Sequence, residues 1–320
     1  MKNLLFEKSS IIQKMILTHR QTYMGLAILM VVAYHASGRY GLAIPLIGRG
    51  YAGVDIFLFF SAVGLCFSYT KNSLSQFYKN RFIRIFPLFA LLAIVRSVFN
   101  EVQMDFWDYI CNLTTLSYYG LGGCFVDWYL CALLLLYLLF PILFKNVISN
   151  RGGVILCCII SLLITAFLPI HWKYDCLISR LPIFILGILF YKNTNNIRFF
   201  VKYSLFFLCL AVILFIISDI YRLKLSVFLV VSFLIPFFIC VFSILMAQKC
   251  MRWINGILGW IGRYTLEIYV ANCIADNIEK AYSILQSVWI DLLLTVFLSI
   301  ILYQINTIIT SLLKNEKSVI

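Results

Sequence analysis

Two ionisable residues near the ends of neighbouring apolar segments have the chemistry of an acid–base pair. His35 closes the apolar run in "MVVAYHASGRY", and Asp55 lies in "GVDIFLFFSAVG". A carboxylate that hydrogen-bonds one imidazole nitrogen fixes the tautomer and raises the basicity of the other nitrogen. The pattern predicts that His35 is a general base, oriented by Asp55, for a hydroxyl group. The alternative is a histidine and an aspartate at a membrane boundary, solvated by headgroups and water.

A second cluster of candidate residues is basic and lies in "YKNRFIRIFPLF". Lys79 precedes Arg81 and Arg84, two arginines that are three residues apart and share a helix face. Each guanidinium can bind a phosphate through two parallel hydrogen bonds, which suits a phosphorylated cytoplasmic ligand. Pro87 would kink the segment and free a backbone carbonyl. The alternative role of these cations is to anchor the cytoplasmic side of a membrane protein.

Three further polar residues, Ser37, Trp128 and Arg180, are weaker candidates for holding a substrate on the outer side. An aromatic belt at the membrane surface would equally explain Trp128. Glu267 lies within an apolar segment, where a structural ion pair is as good an explanation as a functional one. The eleven cysteines have no metal-ligand or redox spacing, so we expect no metal site and interpret them as small hydrophobic residues.

The elements that must position these residues are apolar helices. The chain is 63% hydrophobic and 12% charged, whereas a soluble domain carries about 25% charged residues. Apolar blocks recur at about 17 to 25 residues, the length that crosses the ~30 Å hydrocarbon core of a bilayer. We identify ten blocks: 22–37, 52–70, 83–99, 128–145, 153–170, 180–191, 199–218, 225–247, 256–275 and 289–312. The sequence predicts an all-α polytopic membrane protein, a bundle of about ten transmembrane helices forming one domain over residues 1–320.

The net charge of +13 is a signal of topology. Most of the 26 Lys and Arg residues fall on the side that holds both termini, and most of the 13 acidic residues fall near the opposite face. The positive-inside rule places the basic side in the cytoplasm. We therefore expect cytoplasmic tails at 1–20 and 313–320, an N-in/C-in topology, and a multi-pass protein that binds the lipid bilayer and no nucleic acid.

Six segments, taken in order, resemble those of the membrane acyltransferase-3 family, integral-membrane O-acyltransferases that modify bacterial surface glycans and other acceptors. They are "GLAILMVVAYHASG", "GVDIFLFFSAVG", "KNRFIRIFPLF", "WYLCALLLLYLLFPIL", "RLPIFILGILFY" and "GWIGRYTLEIYVAN". The resemblance runs from about residue 20 to 310. It implies that His35 is the catalytic base and that residues 53–55 form the family's Gly-Val-Asp segment. It also implies that residues 81–87 form the Arg-x-x-Arg-Ile-x-Pro segment linked to acyl-CoA binding.

The chain departs from the family pattern at three places. The family arginine eleven residues before the histidine is Met24 here, and Arg20, one helical turn further toward the cytoplasm, could replace its charge. The usual Ser-Gly pair reads Ser-Ala at 61–62, and the late Tyr-Leu-x-His reads Tyr-Val-Ala-Asn at 269–272. The first departure bears on acyl-CoA binding, and the third bears on the class of acceptor.

The resemblance implies an O-acyltransferase of the bacterial cytoplasmic membrane. It would move an acyl group, most simply acetyl, from cytoplasmic acyl-CoA to a hydroxyl of a surface or lipid-linked glycan. Lys79 and Arg20 would join Arg81 and Arg84 at the CoA phosphates, and acyl-CoA would be a substrate, with no permanently bound cofactor. No hydrolase-like domain follows the last block, so we expect the stand-alone form that transfers the group itself.

Other functional classes are consistent with parts of the same sequence pattern. On composition alone, a polytopic transporter or flippase for a lipid-linked sugar or a small metabolite fits nearly as well. An acyltransferase that faces the cytoplasm and acts on a soluble amine or a lipid precursor is a further alternative. The sequence carries no signal for the oligomeric state.

Overall fold

The computed structural model describes residues 14–42, 44, 47–99, 104–124, 126–168, 171–192, 202–220, 234–282 and 287–315. Over these residues the protein is helical and contains no strand. The helices are α1 Arg20–Tyr40, α2 Gly53–Lys71, α3 Leu74–Val98, α4 Phe106–Leu113, α5 Trp128–Ser149, α6 Arg151–Phe167, α7 Trp172–Ile178, α8 Leu181–Lys192, α9 Ser204–Ile220, α10 Ile235–Met246, α11 Arg252–Ile261, α12 Thr265–Ala281 and α13 Val288–Asn315. Much of the two predicted tails (1–13 and 316–320) and the start of the eighth apolar block (225–233) lie outside the described residues.

Each of the ten apolar blocks overlaps a helix where the chain is described, and the all-helical class is confirmed. Four helical stretches are long and apolar enough to cross a membrane: Ile47–Lys71, Trp128–Ser149, Trp172–Lys192 and Val288–Leu313. A fifth is obtained if the bent pair Ile235–Met246 and Lys249–Ala281 counts as one span. The ten-span count and the N-in/C-in orientation stay predictions.

Local sequence signals explain where the helices that carry the candidate residues begin and end. The side chain of Ser73 accepts a hydrogen bond from the backbone N–H of Gln76 and so caps the start of α3. Pro87 lies inside α3, as the sequence predicted. Gly41, with φ of +62°, follows the last residue of α1 in the left-handed conformation that commonly ends helices.

Contacts divide the chain into two compact units, and each is described by itself. The first unit comprises Met1–Met30, Tyr51–Thr70 and Leu139–Arg263, and the second comprises Val31–Gly50, Lys71–Leu138 and Tyr264–Ile320. The prediction of a single domain over residues 1–320 stays a prediction.

The first unit contains two places where helix backbones approach closely. A Cβ atom on Gly25 would overlap the carbonyl of Leu258, and one on Gly262 would overlap the carbonyl of Gln21, so α1 meets the α11 segment without room for a methyl group. A Cβ atom on Gly187 would lie 2.8 Å from the Cβ of Ala62. These small residues therefore allow helix packing through the van der Waals contacts that dominate within membranes.

The second unit is built around α12, which packs against α13 and α3. Polar groups on α12 are paired across these contacts. The hydroxyl of Tyr269 donates to Oδ2 of Asp127 at 2.8 Å, and Nδ2 of Asn306 donates to Oε1 of Glu267 at 2.8 Å. The partner of Glu267 is therefore a neutral amide, and the choice between a structural ion pair and a functional role stays open.

Candidate active site

His35 lies in the second unit, one turn before the end of α1. Its ring is half-buried and meets the ring of Tyr34 edge-on, with 5.4 Å between the ring centroids. The charged groups that act on it electrostatically are Arg39, Asp276, Lys280 and Arg96. His35 and Arg39 are four residues apart and therefore share a face of the helix. The imidazole predicted to be the base thus borders a cluster of charged residues.

Arg39 is the centre of that cluster. Its Nη1 lies 2.7 Å from Oδ1 of Asp291, its Nη2 donates to Oδ1 of Asn272 at 3.0 Å, and its Nε lies 3.5 Å from Oδ1 of Asp276. The Nη1 atom is also 3.8 Å from Oε2 of Glu279. We call Arg39, Asn272, Asp276, Glu279 and Asp291 the Arg39 cluster. It joins the end of α1 to α12 and α13.

Neighbouring side chains extend the Arg39 cluster at its edges. The Tyr40 hydroxyl donates to Oε2 of Glu279 at 2.6 Å. Asp276 binds Nζ of Lys280 at 2.7 Å and lies 4.0 Å from Nη2 of Arg96, which belongs to α3. Three carboxylates and three cations therefore meet at the level of the last turn of α1.

Ser37 and Trp128, the two predicted substrate-binding residues of the second unit, lie near the ends of their helices. The buried hydroxyl of Ser37 donates to the backbone carbonyl of Leu42 at 2.6 Å and so secures the turn that follows α1. Trp128 begins α5, and its ring meets that of Tyr129 edge-on. Their roles toward an acceptor stay predictions.

The predicted donor-site arginines are carried by α3, also in the second unit. The Arg81 guanidinium lies over the ring of Phe77, 5.9 Å from its centroid. The Nε–H of Arg81 is buried and has no hydrogen-bond acceptor among the described residues. Arg84 and Lys79 are exposed. An arginine held on an aromatic face with an unused donor can receive an anionic ligand.

The helix that carries these arginines also reaches the surroundings of His35. Arg84 and Arg96 are twelve residues apart on α3, which corresponds to about 18 Å along a straight helix. Arg96 lies against Asp276, and Asp276 is bound to Arg39. The second unit therefore holds both His35 and the arginine pair Arg81 and Arg84. The two sites are separated by roughly the length of α3 between Arg84 and Arg96.

Asp55, the predicted partner of His35, belongs to the first unit and has a cation beside it there. Its Oδ1 lies 3.1 Å from Nε of Arg180, and both side chains are buried, with exposed fractions of 0% and 6%. Nη1 of Arg180 also donates to the carbonyl of Cys176 at 3.2 Å. Asp55 lies in the first turn of α2, where the helix dipole favours a negative charge. The predicted hydrogen bond between Asp55 and His35 stays a prediction.

Arg20 and Met24, at the first departure from the family pattern, also belong to the first unit. Met24 is buried, with an exposed fraction of 8%. Nη2 of Arg20 would lie 4.0 Å from a Cβ atom on Gly64, so this guanidinium approaches α2. The contribution of Arg20 to ligand binding stays a prediction.

The Arg39 cluster is what the sequence reasoning missed. The sequence places Asp276 among the acidic residues of the predicted outer face and Arg39 in the polar stretch after His35, but nothing in it connects the two. A signal was present, because Arg39 is a cation on the predicted outer side, against the positive-inside bias. Its spacing of four residues from His35 was the second signal.

The chain was compared with known protein families, curated proteins and solved structures. The model of the acyltransferase-3 family, described as an acyltransferase domain, matches residues 25–310. No curated protein and no solved structure gives a significant match. His35, Asp55, Arg81 and Arg84 lie within the matched region, whereas Arg20 precedes it.

Proposed function

The chain belongs to the acyltransferase-3 family of membrane proteins, and from this premise we propose that it is an O-acyltransferase of the bacterial cytoplasmic membrane. Its donor is cytoplasmic acyl-CoA, most simply acetyl-CoA, and its acceptor is a hydroxyl of a surface or lipid-linked glycan. The observation that carries this proposal is that His35 and the pair Arg81 and Arg84 belong to one unit, at two levels along α3. A base at one level and phosphate-binding groups at the other suit a long donor whose charged and reactive ends are far apart.

In the proposed reaction the donor binds from the cytoplasmic side. Arg81 and Arg84 hold its phosphates, with Lys79 and Arg20 as further cations. The exposed Arg84 and Lys79 meet the ligand first, and the unused Nε–H of Arg81 supports a second contact deeper in the site. The pantetheine arm then extends along α3 toward His35 and brings the thioester to it.

The chemical step at His35 is a general-base-assisted acyl transfer. A ring nitrogen of His35 takes the proton of the acceptor hydroxyl while the oxygen attacks the thioester carbonyl. The new C–O bond forms, the C–S bond breaks, and the thiolate of CoA leaves and takes up the proton from the imidazolium. Ser37, Trp128 and Arg180 are proposed to help hold the acceptor, and Asp55 is proposed to orient His35.

The test of the proposed function uses the purified full-length chain in lipid nanodiscs, with acetyl-CoA and a glycan acceptor. Free CoA thiol and acetylated glycan are measured together. We expect both products from the unaltered protein, and a loss of about 10²- to 10⁴-fold in His35→Ala, the usual contribution of a general base. His171→Ala, at the start of α7, is the matched control and should retain activity.

Two results would contradict this assignment. A folded His35→Ala protein that acetylates at the normal rate would remove His35 from the chemistry. Movement of a glycan across the bilayer without any release of CoA thiol would identify a transporter instead.

The donor site is tested by direct binding of acetyl-CoA. Arg81→Ala combined with Arg84→Ala should weaken binding by about 100-fold or more, because each charge-assisted hydrogen bond contributes about 1.5–3 kcal/mol and the double variant removes two. Lys145→Ala removes an exposed cation from α5 and should leave the affinity unchanged. An unchanged affinity for acetyl-CoA in the double variant would show that both arginines serve only as membrane anchors.

A further inference from the structure

The last turn of α1 requires anchoring if His35 is to hold a fixed position. His35 is five residues from Tyr40, the last residue of the helix, and Gly41 follows in a left-handed conformation. The final carbonyls of a helix lack intrahelical partners, and helix ends fray unless other groups hold them. A displacement of the last turn would move the imidazole with it, because His35 lies only about one turn further in.

Arg39 supplies most of the contacts that anchor this turn. It contacts Asn272 and Asp276 on one face of α12, where Glu279 also lies, and Asp291 on α13. The spacings of four and three residues place the three α12 side chains on the same side of that helix. A single guanidinium therefore joins α1 to two other helices through charged hydrogen bonds.

The burial of the Arg39 cluster makes these contacts difficult to replace by water. The exposed side-chain fraction is 15% for Arg39, 0% for Asp291 and 5% for Glu279. Oδ2 of Asp291 and Oε1 of Glu279 are buried and accept no hydrogen bond from the described residues. The carboxylates therefore depend on Arg39 for compensation of their charge, and removing one partner of a buried pair leaves the other uncompensated.

We propose that Arg39 is a positioning residue for the transfer reaction: it fixes the last turn of α1 against α12 and α13 and thereby holds the imidazole of His35 in place. This role rests on the proposed function of His35 as the base. Arg39 itself need not touch either substrate. A base displaced by about 1 Å can lose on the order of 100-fold in rate, so the anchoring contacts contribute to kcat rather than to donor binding.

The test compares three variants of the full-length protein in nanodiscs. Arg39→Gln removes the charge and keeps polar atoms at a similar reach, and Arg39→Lys keeps the charge but not the forked geometry. Lys280→Gln is the matched control, because it removes a cation bound to the same Asp276 but is 66% exposed. Should Arg39→Gln fail to fold, Arg39→Gln combined with Asp291→Asn removes both buried charges together and takes its place.

The kinetic result expected is a split between kcat and KM. Arg39→Gln should lower kcat by about 10- to 100-fold while the KM for acetyl-CoA stays unchanged, since the donor arginines lie at the other level of α3. Arg39→Lys should recover a large part of kcat, and Lys280→Gln should lower kcat far less than Arg39→Gln. Unchanged kcat in Arg39→Gln, no recovery in Arg39→Lys, or a rise in KM that accounts for the whole loss would overturn the proposal.

A second measurement does not depend on catalysis. Diethyl pyrocarbonate modifies histidine rings, and peptide mass spectrometry can follow His19, His35 and His171 separately, the three histidines of the chain. Arg39→Gln should change the modification rate of His35 by about threefold or more, because freeing the last turn opens the structure locally. The rates at His19 and His171 should not change. If the unaltered protein releases no CoA thiol, the proposed function fails, and this rate still decides whether Arg39 positions His35.

Discussion

Arg180→Ala would leave the Asp55 carboxylate buried in the first unit without the cation that now lies beside it. Asp55 has no exposed surface, and neither of its oxygens accepts a hydrogen bond from the described residues. Arg180 has additional polar neighbours, since its Nη1 donates to the carbonyl of Cys176 and to Oγ of Ser179. The two partners of the ion pair are therefore unequal, and removing each of them should have a different cost.

The structure sets the approximate size of this difference. Unit charges 3.1 Å apart attract by about 5 kcal/mol at an effective dielectric constant of about 20. The dipole at the start of α2 compensates Asp55 by only about 0.3–1 kcal/mol. Arg180→Ala should therefore lower the free energy of unfolding by about 3–5 kcal/mol. Asp55→Asn should cost less, about 1–3 kcal/mol, because Arg180 keeps its other acceptors. Asp55→Leu with Arg180→Met should lie close to the unaltered protein or above it.

The assay is reversible unfolding in mixed detergent micelles, combined with the acyl-transfer measurement on the same preparations. Lys280→Ala, which breaks an exposed i,i+4 pair, is the control and should cost under about 0.5 kcal/mol. Equal costs for the two single changes would refute the reasoning, as would a double variant no more stable than Arg180→Ala. The acyl-transfer rates of the same variants test whether the ion pair also serves the reaction. If Asp55 orients His35 or Arg180 holds the acceptor, the double variant regains stability without regaining transfer, whereas a purely structural pair regains both.

Three further perturbations test other parts of the structure. Gly262→Ala should destabilise by about 1–3 kcal/mol, because its Cβ would overlap the carbonyl of Gln21, whereas Gly256→Ala, with open space around it, should be neutral or stabilising in the same unfolding assay. Burial raises the pKa of the Cys124 thiol in the segment between α4 and α5, so its maleimide labelling should be slower than that of glutathione at neutral pH and should rise more steeply as the pH increases. Arg20→Ala should weaken acetyl-CoA binding by about 10-fold or more in a titration, and an unchanged affinity would show that Arg20 does not replace the missing arginine.

The fold class could be predicted from the sequence because a membrane leaves few choices. A backbone in hydrocarbon must satisfy its own hydrogen bonds, so long apolar blocks imply helices. The chain agrees at this level, since its described residues are helical and each block overlaps a helix. The number of spans is harder to predict, because α1 and α3 mix polar residues into their apolar runs. Within the described part of the chain, four helical stretches satisfy length and hydropathy together.

The candidate residues could be predicted by type, but their partners could not. His35 and the arginines Arg81 and Arg84 stand out because ionisable groups are rare in apolar segments. The ion pairs of Arg39 and of Asp55 join distant parts of the chain. Arg39 and Asp291 are separated by 252 positions, and no local pattern connects them. Because their segments are adjacent in the sequence, Asp55 is predicted to be the partner of His35. The cation that lies beside Asp55 is Arg180, the residue that precedes α8.

The burial of Met24 bears on the family arginine that the resemblance implies at this position. Met24 is buried, and Tyr23 and Ala27, which are close to it in the sequence of α1, have no exposed surface. An arginine at this depth would need a counter-ion, since a charge in mid-membrane costs about 2.5–3.5 kcal/mol. Arg20 lies four residues earlier, which is about 6 Å along α1 and about 40° around it. An arginine side chain is long enough to cover much of that distance while its Cα stays in the less buried first turn of α1. Burial is therefore a physical reason for an apolar side chain at Met24, and the expectation that Arg20 supplies the charge instead stays a prediction.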